Sequence, residues 1–218
     1  MSKEYWLQQL STITDPQDTP IPCTPMDIWL NGEDLVKSFS YNFATKSVVD
    51  IGCGIGRVGW YVIDRVASYV GYDVNERYLK FCRRTFSSYK NARFVHLDIR
   101  NSMYNPKGKL KASGLRLNES NNSQDLVLCI SLFTHLCSLF DAQVYINEIF
   151  RVLKPGGEAR VSFFRSPPNE LCINSDRTVY READIINLLR PFEILSSLRG
   201  MSQDRDDQWS LSIRKLSS

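Results

Sequence analysis

Residues 48–57 read Val-Val-Asp-Ile-Gly-Cys-Gly-Ile-Gly-Arg, an apolar run that ends in alternating glycines. No other segment restricts the fold of this chain as strongly. Glycine has no side chain and tolerates positive φ, so backbone and ligand can approach each other closely at such a turn. The apolar run reads as a buried strand, and residues 58–66 after the glycines read as a helix. A helix that begins there offers its first N–H groups unpaired.

The same alternation continues along the chain. Strands are expected at 47–51, 68–74, 92–98, 125–131 and 158–164. Helices are expected at 75–89 and 140–153, where Val144, Ile146, Ile149, Phe150 and Leu153 fall at near-helical spacing. Lys154-Pro155-Gly156-Gly157 stops the second of these. A helix at 181–189 ends before Pro191, and two strand-like runs follow at 192–198 and 208–216 with only a polar connection between them. Strands joined in that way pair antiparallel. The expected fold class is therefore α/β, a mostly parallel sheet covered on both faces with right-handed crossovers.

Residues 1–46 form an expected N-terminal helical and irregular extension to a domain at 47–218. Short helices at 3–10 and 33–39 flank a stretch broken by Pro16, Pro20, Pro22 and Pro25, and Asn31-Gly32 precedes the second. Trp6 and Trp29 anchor this extension on the main domain; a lid over a pocket is the rival reading. Residues 101–124 are polar and aperiodic and include Lys107, Lys109, Lys111 and Arg116. They read as a solvated loop, with a grip on an anionic substrate or RNA as the alternative.

Composition narrows the function classes. Hydrophobic residues are 43% of the 218, enough for a core, and charged residues are 23%, near the ordinary globular share, which argues against a disordered chain. Lys and Arg number 27 against 24 Asp and Glu, a net +3, so the balance gives no dominant basic field; nucleic acid is neither indicated nor excluded. No apolar run approaches the roughly 20 residues that span a bilayer, and residues 1–10 lack a signal core, so a cytoplasmic protein without membrane partners is expected. Cys23, Cys53, Cys82, Cys129, Cys137 and Cys172 form no CxxC pair, and His96 and His135 have no ligand-spaced partner, so neither a disulfide framework nor a metal site is expected. Nothing in the sequence assigns an oligomeric state.

Two readings of the glycine run compete. Gly54 to Gly59 fits GxGxxG, a dinucleotide fingerprint that is weak alone. Asp50, Gly52, Gly54 and Gly56 fit DxGxGxG. Asp73, in Val70-Gly71-Tyr72-Asp73 at the end of the second strand, serves either, because a carboxylate there accepts from ribose hydroxyls. Helix capping is its plainer role. Phe94-Val95-His96-Leu97-Asp98 ends the third strand in another acid, and Glu148-Ile149-Phe150-Arg151-Val152-Leu153-Lys154-Pro155-Gly156-Gly157 precedes the fifth. Together these resemble the class I S-adenosylmethionine-dependent methyltransferases (methyltransferase-domain superfamily, type 11/12-like), and not a dehydrogenase using NAD.

The resemblance implies a Rossmann-like three-layer sandwich with a seven-stranded sheet in the order 3-2-1-4-5-7-6, the last strand antiparallel. It implies S-adenosyl-L-methionine as cofactor, held by Asp50, Gly52, Cys53, Gly54, Gly56, Asp73, Val74, Asp98, Ile99 and Ser131. Asp50 lies toward the methionine end, Asp73 at the ribose, Asp98 at the adenine amino group with Ile99 beside the ring, and Ser131 near the methyl group. Asp98 as a mere turn into the loop is the competing view. Ile130-Ser131-Leu132-Phe133 is not the Asp/Asn-Pro-Pro-aromatic signature of many adenine and glutamine amino methyltransferases, and Phe133 is expected to pack on cofactor or substrate. His135 is the one histidine near the expected site: a general base, or a helix-start histidine bonded to backbone. His96 and Asp125 read as structural. Residues 165–178, with Pro167-Pro168, are expected to edge the acceptor pocket. Tyr104-Asn105-Pro106 and Ser131-Leu132-Phe133-Thr134-His135-Leu136 resemble a bacterial-type subgroup of uncertain substrate. The implied activity is methyl transfer to a small-molecule or glycan-like acceptor. An RNA or protein methyltransferase, or a non-catalytic cofactor-binding module, is the alternative.

Overall fold

The computed structural model describes residues 8, 25–39, 41–44, 46–136, 138–165, 172–173, 178–199 and 208–216. The expected helix at 3–10 lies outside these apart from Gln8, as do Trp6, the side chain of Trp29, Cys23, Cys137 and most of 165–178.

The strands are β1 Ser47–Ile51, β2 Ser68–Asp73, β3 Ala92–His96, β4 Gln124–Cys129, β5 Leu153–Arg165, β6 Cys172–Ile173, β7 Thr178–Tyr180, β8 Phe192–Arg199 and β9 Gln208–Lys215. The helices are α1 Pro25–Ser38, α2 Gly59–Val62, α3 Glu76–Thr85, α4 Leu139–Val152 and α5 Glu182–Leu188. The seven long strands lie in the order β3-β2-β1-β4-β5-β9-β8. β1 to β5 run parallel, and β9 is antiparallel to both β5 and β8. This is the Rossmann-like order expected. The sheet exceeds seven strands because a short ribbon, β6 and β7, adds to it where β7 meets Phe164 and Arg165.

Alternation along β1 explains the three layers. Val49 and Ile51 point to a core closed by Ile146 and Ile149 of α4 and Ile185 of α5. Val48 points to the opposite core, closed by Leu35 and Val36 of α1, Val62 of α2 and Leu79 and Cys82 of α3. A strand buried on both faces is a continuous apolar run, as parallel sheets require.

Several boundaries differ from expectation for identifiable reasons. The helix expected at 33–39 begins at Pro25, where proline suits a first turn that lacks partners for its N–H groups. Asn31-Gly32, read as a break, lies inside it. A Cβ on Gly32 would sit 2.7 Å from the carbonyl oxygen of Arg57, so the glycine is there for close packing on the loop after β1. Leu35, Val36, Phe39 and Phe43 are buried, and Arg160 donates to the Phe39 carbonyl at 3.3 Å. The helix expected at 58–66 is one α-turn followed by a 3-10 turn at Ile63–Arg65. β5 starts at Leu153 because Gln124 pairs with Leu153 and Leu126 with Glu158; Lys154 to Gly157 bulge from the ladder with Gly156 at φ 75°. The 101–124 segment is no free loop, since Leu115 and Leu117 are buried in the core under α4. Asp125 is structural, accepting from Ser47 N at 2.9 Å and pairing with Lys154 at 2.9 Å. Cys53, Cys82 and Cys129 are buried free thiols. Among the described residues no helix is long and apolar enough to cross a membrane.

Candidate cofactor and acceptor site

The glycines of 52–56 differ in what demands them. Gly52, Gly54 and Gly56 have φ of 77°, 54° and 79°. A Cβ on Gly56 would lie 2.6 Å from the Phe86 ring, and one on Gly52 would lie 3.0 Å from Leu132. Protein therefore presses on both. A Cβ on Gly54 would meet nothing within 4 Å, so this residue faces open space at the C-terminal ends of the strands. Gly52 N and Cys53 N donate to the Tyr72 carbonyl at 2.7 and 3.0 Å, which fastens the loop to β2.

Asp73 closes the other side of that opening. Its Oδ2 accepts from Gly54 N at 2.8 Å and its Oδ1 from Asn75 N at 2.8 Å. Burial pushes its pKa up, against these backbone donors. Each oxygen keeps a lone pair for a further donor. Asp73 is not the cap of α3: that is Asn75, whose side chain accepts from Arg77 N and Tyr78 N.

Asp50 is held beneath the loop, 3% exposed, with Tyr69 OH donating to it at 2.6 Å. Burial raises its pKa to about 7, although the Tyr69 hydrogen bond and the charge of Arg57 lower it. Folded Asp50 keeps a proton that the unfolded chain releases near pH 4, so its contribution is present below pH 4 and is lost as pH rises toward 7. In Asp50→Asn that loss disappears. The stability difference between variant and wild type is expected to widen in the variant's favour by roughly 2–3 kcal/mol from pH 5 to pH 8. Urea unfolding at both pH values checks this; a constant difference contradicts it.

The other expected contacts distribute around the opening. Asp98 lies two residues beyond β3 rather than at its end, with Oδ1 3.4 Å from both Lys109 N and the Asn105 amide. Ile99 is buried and Val74 half-buried. Leu97 N donates to the Asp73 carbonyl at 2.9 Å, which holds the 97–99 segment beside Asp73. The Cys53 side chain is buried below the loop, so only its backbone is on offer to a ligand. His96 is structural, its Nε2 3.0 Å from the Val74 carbonyl.

Ser131, just past β4, has φ 60°, a strained value for a residue other than glycine. Its N donates to Ser162 Oγ at 2.7 Å and its carbonyl accepts from Thr134 Oγ1 at 2.8 Å, so neighbours hold the strain in place. Phe133 departs from expectation: it is fully buried and stacked on Phe163 at 4.5 Å, so it lines no opening. His135 is half-buried, with Nε2 3.4 Å from Tyr104 OH and the two rings edge-on at 5.1 Å. Asn101 donates to the His135 carbonyl at 3.1 Å, so the segment after β3 and the segment after β4 meet at this histidine. Tyr78, on α3, lies 6.4 Å from Tyr104 and its buried hydroxyl has no partner. Sequence patterning misses Tyr78 because it falls on the apolar face of its helix; Tyr104 stood out only within Tyr104-Asn105-Pro106. Among the described residues no group of three or more His, Cys, Asp or Glu could hold a metal ion.

Comparisons with known proteins bear on the family and the fold. Residues 48–157 match the family model for the methyltransferase domain. The chain is 27% identical over 150 residues to a probable S-adenosylmethionine-dependent methyltransferase of Mycolicibacterium smegmatis, covering 68% of this chain and 49% of that protein. It is 32% identical over 114 residues to a fatty-acid O-methyltransferase of the same organism, covering 51% of this chain and 35% of that protein. The chain thus spans half or less of the length of these curated relatives. Among solved structures, phosphoethanolamine N-methyltransferase 1 of Haemonchus contortus superposes with a TM-score of 0.71 at 18% identity, over all of this chain and 50% of that one. That structure holds phosphoethanolamine and S-adenosylhomocysteine.

Proposed function

This chain belongs to the methyltransferase-domain family, and from that membership we propose that it transfers the methyl group of S-adenosylmethionine to a small-molecule acceptor. The observation that carries the cofactor assignment is the open space at Gly54 beside the two-handed carboxylate of Asp73. Gly54 lets a ligand lie against backbone, and Asp73 accepts its ribose hydroxyls. Asp98 and Ile99 take the adenine, with backbone at Gly52, Cys53, Gly56 and Val74 completing the cradle. Asp50 supports the loop toward the methionine end, and Ser131 brings the post-β4 turn near the reacting carbon. When bound, the sulfonium supplies an electrophilic methyl group.

The chain's own part is then alignment of the acceptor, which alone lowers a barrier by roughly 7–11 kcal/mol. Where the acceptor's nucleophile must lose a proton, His135 accepts it, and Tyr104 holds the ring in place. A small-molecule acceptor is favoured by the relatives, whose names give a fatty acid and phosphoethanolamine as substrates. It is also favoured by Ile130-Ser131-Leu132-Phe133, which lacks the Asp/Asn-Pro-Pro-aromatic signature of many adenine and glutamine amino methyltransferases. The test is release of S-adenosylhomocysteine across a panel of carboxylate, hydroxyl and amine acceptors, glycans included. With a hydroxyl acceptor, whose oxygen must lose its proton, His135→Gln is expected to lower kcat by about 10²–10⁴-fold while leaving S-adenosylhomocysteine affinity within twofold; a carboxylate acceptor is already ionised and should be little affected. An unchanged kcat with a hydroxyl acceptor removes the base.

A further inference from the structure

The net charge of +3 conceals a division along the chain. Residues 76–119 hold eleven of the 27 Lys and Arg but three of the 24 Asp and Glu, a formal +8; the remaining residues, 16 basic against 21 acidic, carry −5. In the fold this segment is one edge of the molecule. It comprises α3, the edge strand β3 and the connection from β3 toward β4.

The eleven cations are all exposed. Helix α3 carries Arg77, Lys80, Arg83 and Arg84. Lys90 precedes β3 and Arg93 lies on it. Arg100, Lys107, Lys109, Lys111 and Arg116 follow along the connection. Leu79 of α3 belongs to the core on one face of the sheet, whereas Leu115 and Leu117 of the connection belong to the core on the other. The positive charge therefore wraps the edge from both sides. Nearby acids offset it only in part: Glu76 pairs with Arg83, Glu119 is buried beneath Arg93, Glu148 of α4 pairs with Arg116, and Asp98 is turned to Lys109 N and Asn105. None of the ion pairs among the described residues involves Lys80, Lys90, Arg100, Lys107, Lys109 or Lys111.

Two simpler roles explain this poorly. Charges on an edge strand block unwanted strand pairing, but only Arg93 lies within β3. Solubility is served by interspersed signs, whereas a one-signed edge repels itself. The chemistry of the edge selects its partner. Arg83, Arg93 and Arg116 are paired with Glu76, Glu119 and Glu148, while Lys80, Lys90, Arg100, Lys107, Lys109 and Lys111 present compact or forked cations of the kinds that bind phosphate oxygens. A membrane-surface site needs an apolar face beside its cations, and the single large hydrophobic exposed within 76–119 is Leu110.

We propose that the β3 edge is a docking surface for the phosphate backbone of a nucleic acid. Strands β2 and β1 stand between β3 and β4, so Arg93 on β3 lies roughly 14 Å from β4 at about 4.8 Å per strand, whereas the connection reaches the acceptor side at Asn101 and Tyr104, which meet His135.

The test is fluorescence anisotropy of the full chain with a labelled 20-nucleotide RNA of mixed sequence, from 50 to 300 mM KCl. Binding is expected with a dissociation constant of about 10⁻⁵ M or tighter at the lowest salt. Each phosphate contact adds about −0.7 to the slope of log affinity against log salt. The variant Lys80→Glu/Lys90→Glu/Lys107→Glu/Lys111→Glu should weaken binding at least tenfold and flatten that slope by about 2–3. Its melting temperature should match wild type, and Lys37→Glu/Arg190→Glu, away from the edge, should change nothing. Three results overturn the proposal: no binding at 100 μM protein, binding that the four-site variant leaves unaltered, or equal weakening by the control. Binding to phosphatidylglycerol vesicles without RNA binding overturns it too, and reassigns the edge to a membrane.

Discussion

Asp73→Ala is expected to weaken S-adenosylhomocysteine binding by about 1.5–3 kcal/mol, or roughly 10–150-fold, the scale of hydrogen bonds to a charged group. The same change strips Gly54 N and Asn75 N of their acceptors. A loss of stability of about 1–3 kcal/mol should accompany it, since buried N–H groups without partners carry that cost. Calorimetric titration at a temperature where the variant is folded separates the two effects. Asp73→Asn keeps one acceptor oxygen and should fall between. Wild-type affinity in folded Asp73→Ala removes the ribose assignment.

Gly54→Ala should abolish cofactor binding while barely disturbing the fold. The added Cβ meets no protein atom within 4 Å, and φ of 54° lies in the left-handed region, where a side chain costs about 1–2 kcal/mol. For a chain of this length that is a drop of roughly 2–8 °C in melting temperature. The methyl group would nonetheless stand in the cradle, so affinity should fall more than a hundredfold. Gly56→Ala should behave in the opposite sense. Its Cβ would stand 2.6 Å from the buried Phe86 ring at φ 79°, so loss of stability dominates and binding fails because the loop moves. If both variants lose stability equally and bind equally, the space at Gly54 is not a ligand site.

The glycine loop and Asp73 were legible because backbone geometry there leaves little choice of residue. A strand must end, φ must turn positive, and a carboxylate must meet the N–H groups of the turn. The parallel sheet with an antiparallel pair at its end followed from the alternation of strands and helices, whereas the strand order followed from the family resemblance. What the sequence obscured was decided by distant packing. Asn31-Gly32 is a turn signal locally, yet Gly32 is there because α1 presses on Arg57. Leu115 and Leu117 sit in a polar stretch and betray no period, yet they enter the core beneath α4. Phe133 follows β4 and reads as a pocket residue. Ser131 at φ 60° redirects the chain, and Phe133 lands on Phe163 instead. The basic edge escaped composition because opposite charge elsewhere in the chain nearly cancels it.

The central claim is that the cleft between Gly54 and Asp73 binds an adenosyl ligand. Thermal unfolding with S-adenosylmethionine, with S-adenosylhomocysteine, with NAD and without ligand tests it most directly. Ligand at a hundred times its dissociation constant adds about 2.7 kcal/mol, on the order of 5–10 °C at this size. The expected result is such a shift with both adenosyl ligands, none with NAD, and none with any ligand in Gly54→Ala. A shift with NAD alone, or an adenosyl shift that Gly54→Ala retains, contradicts it.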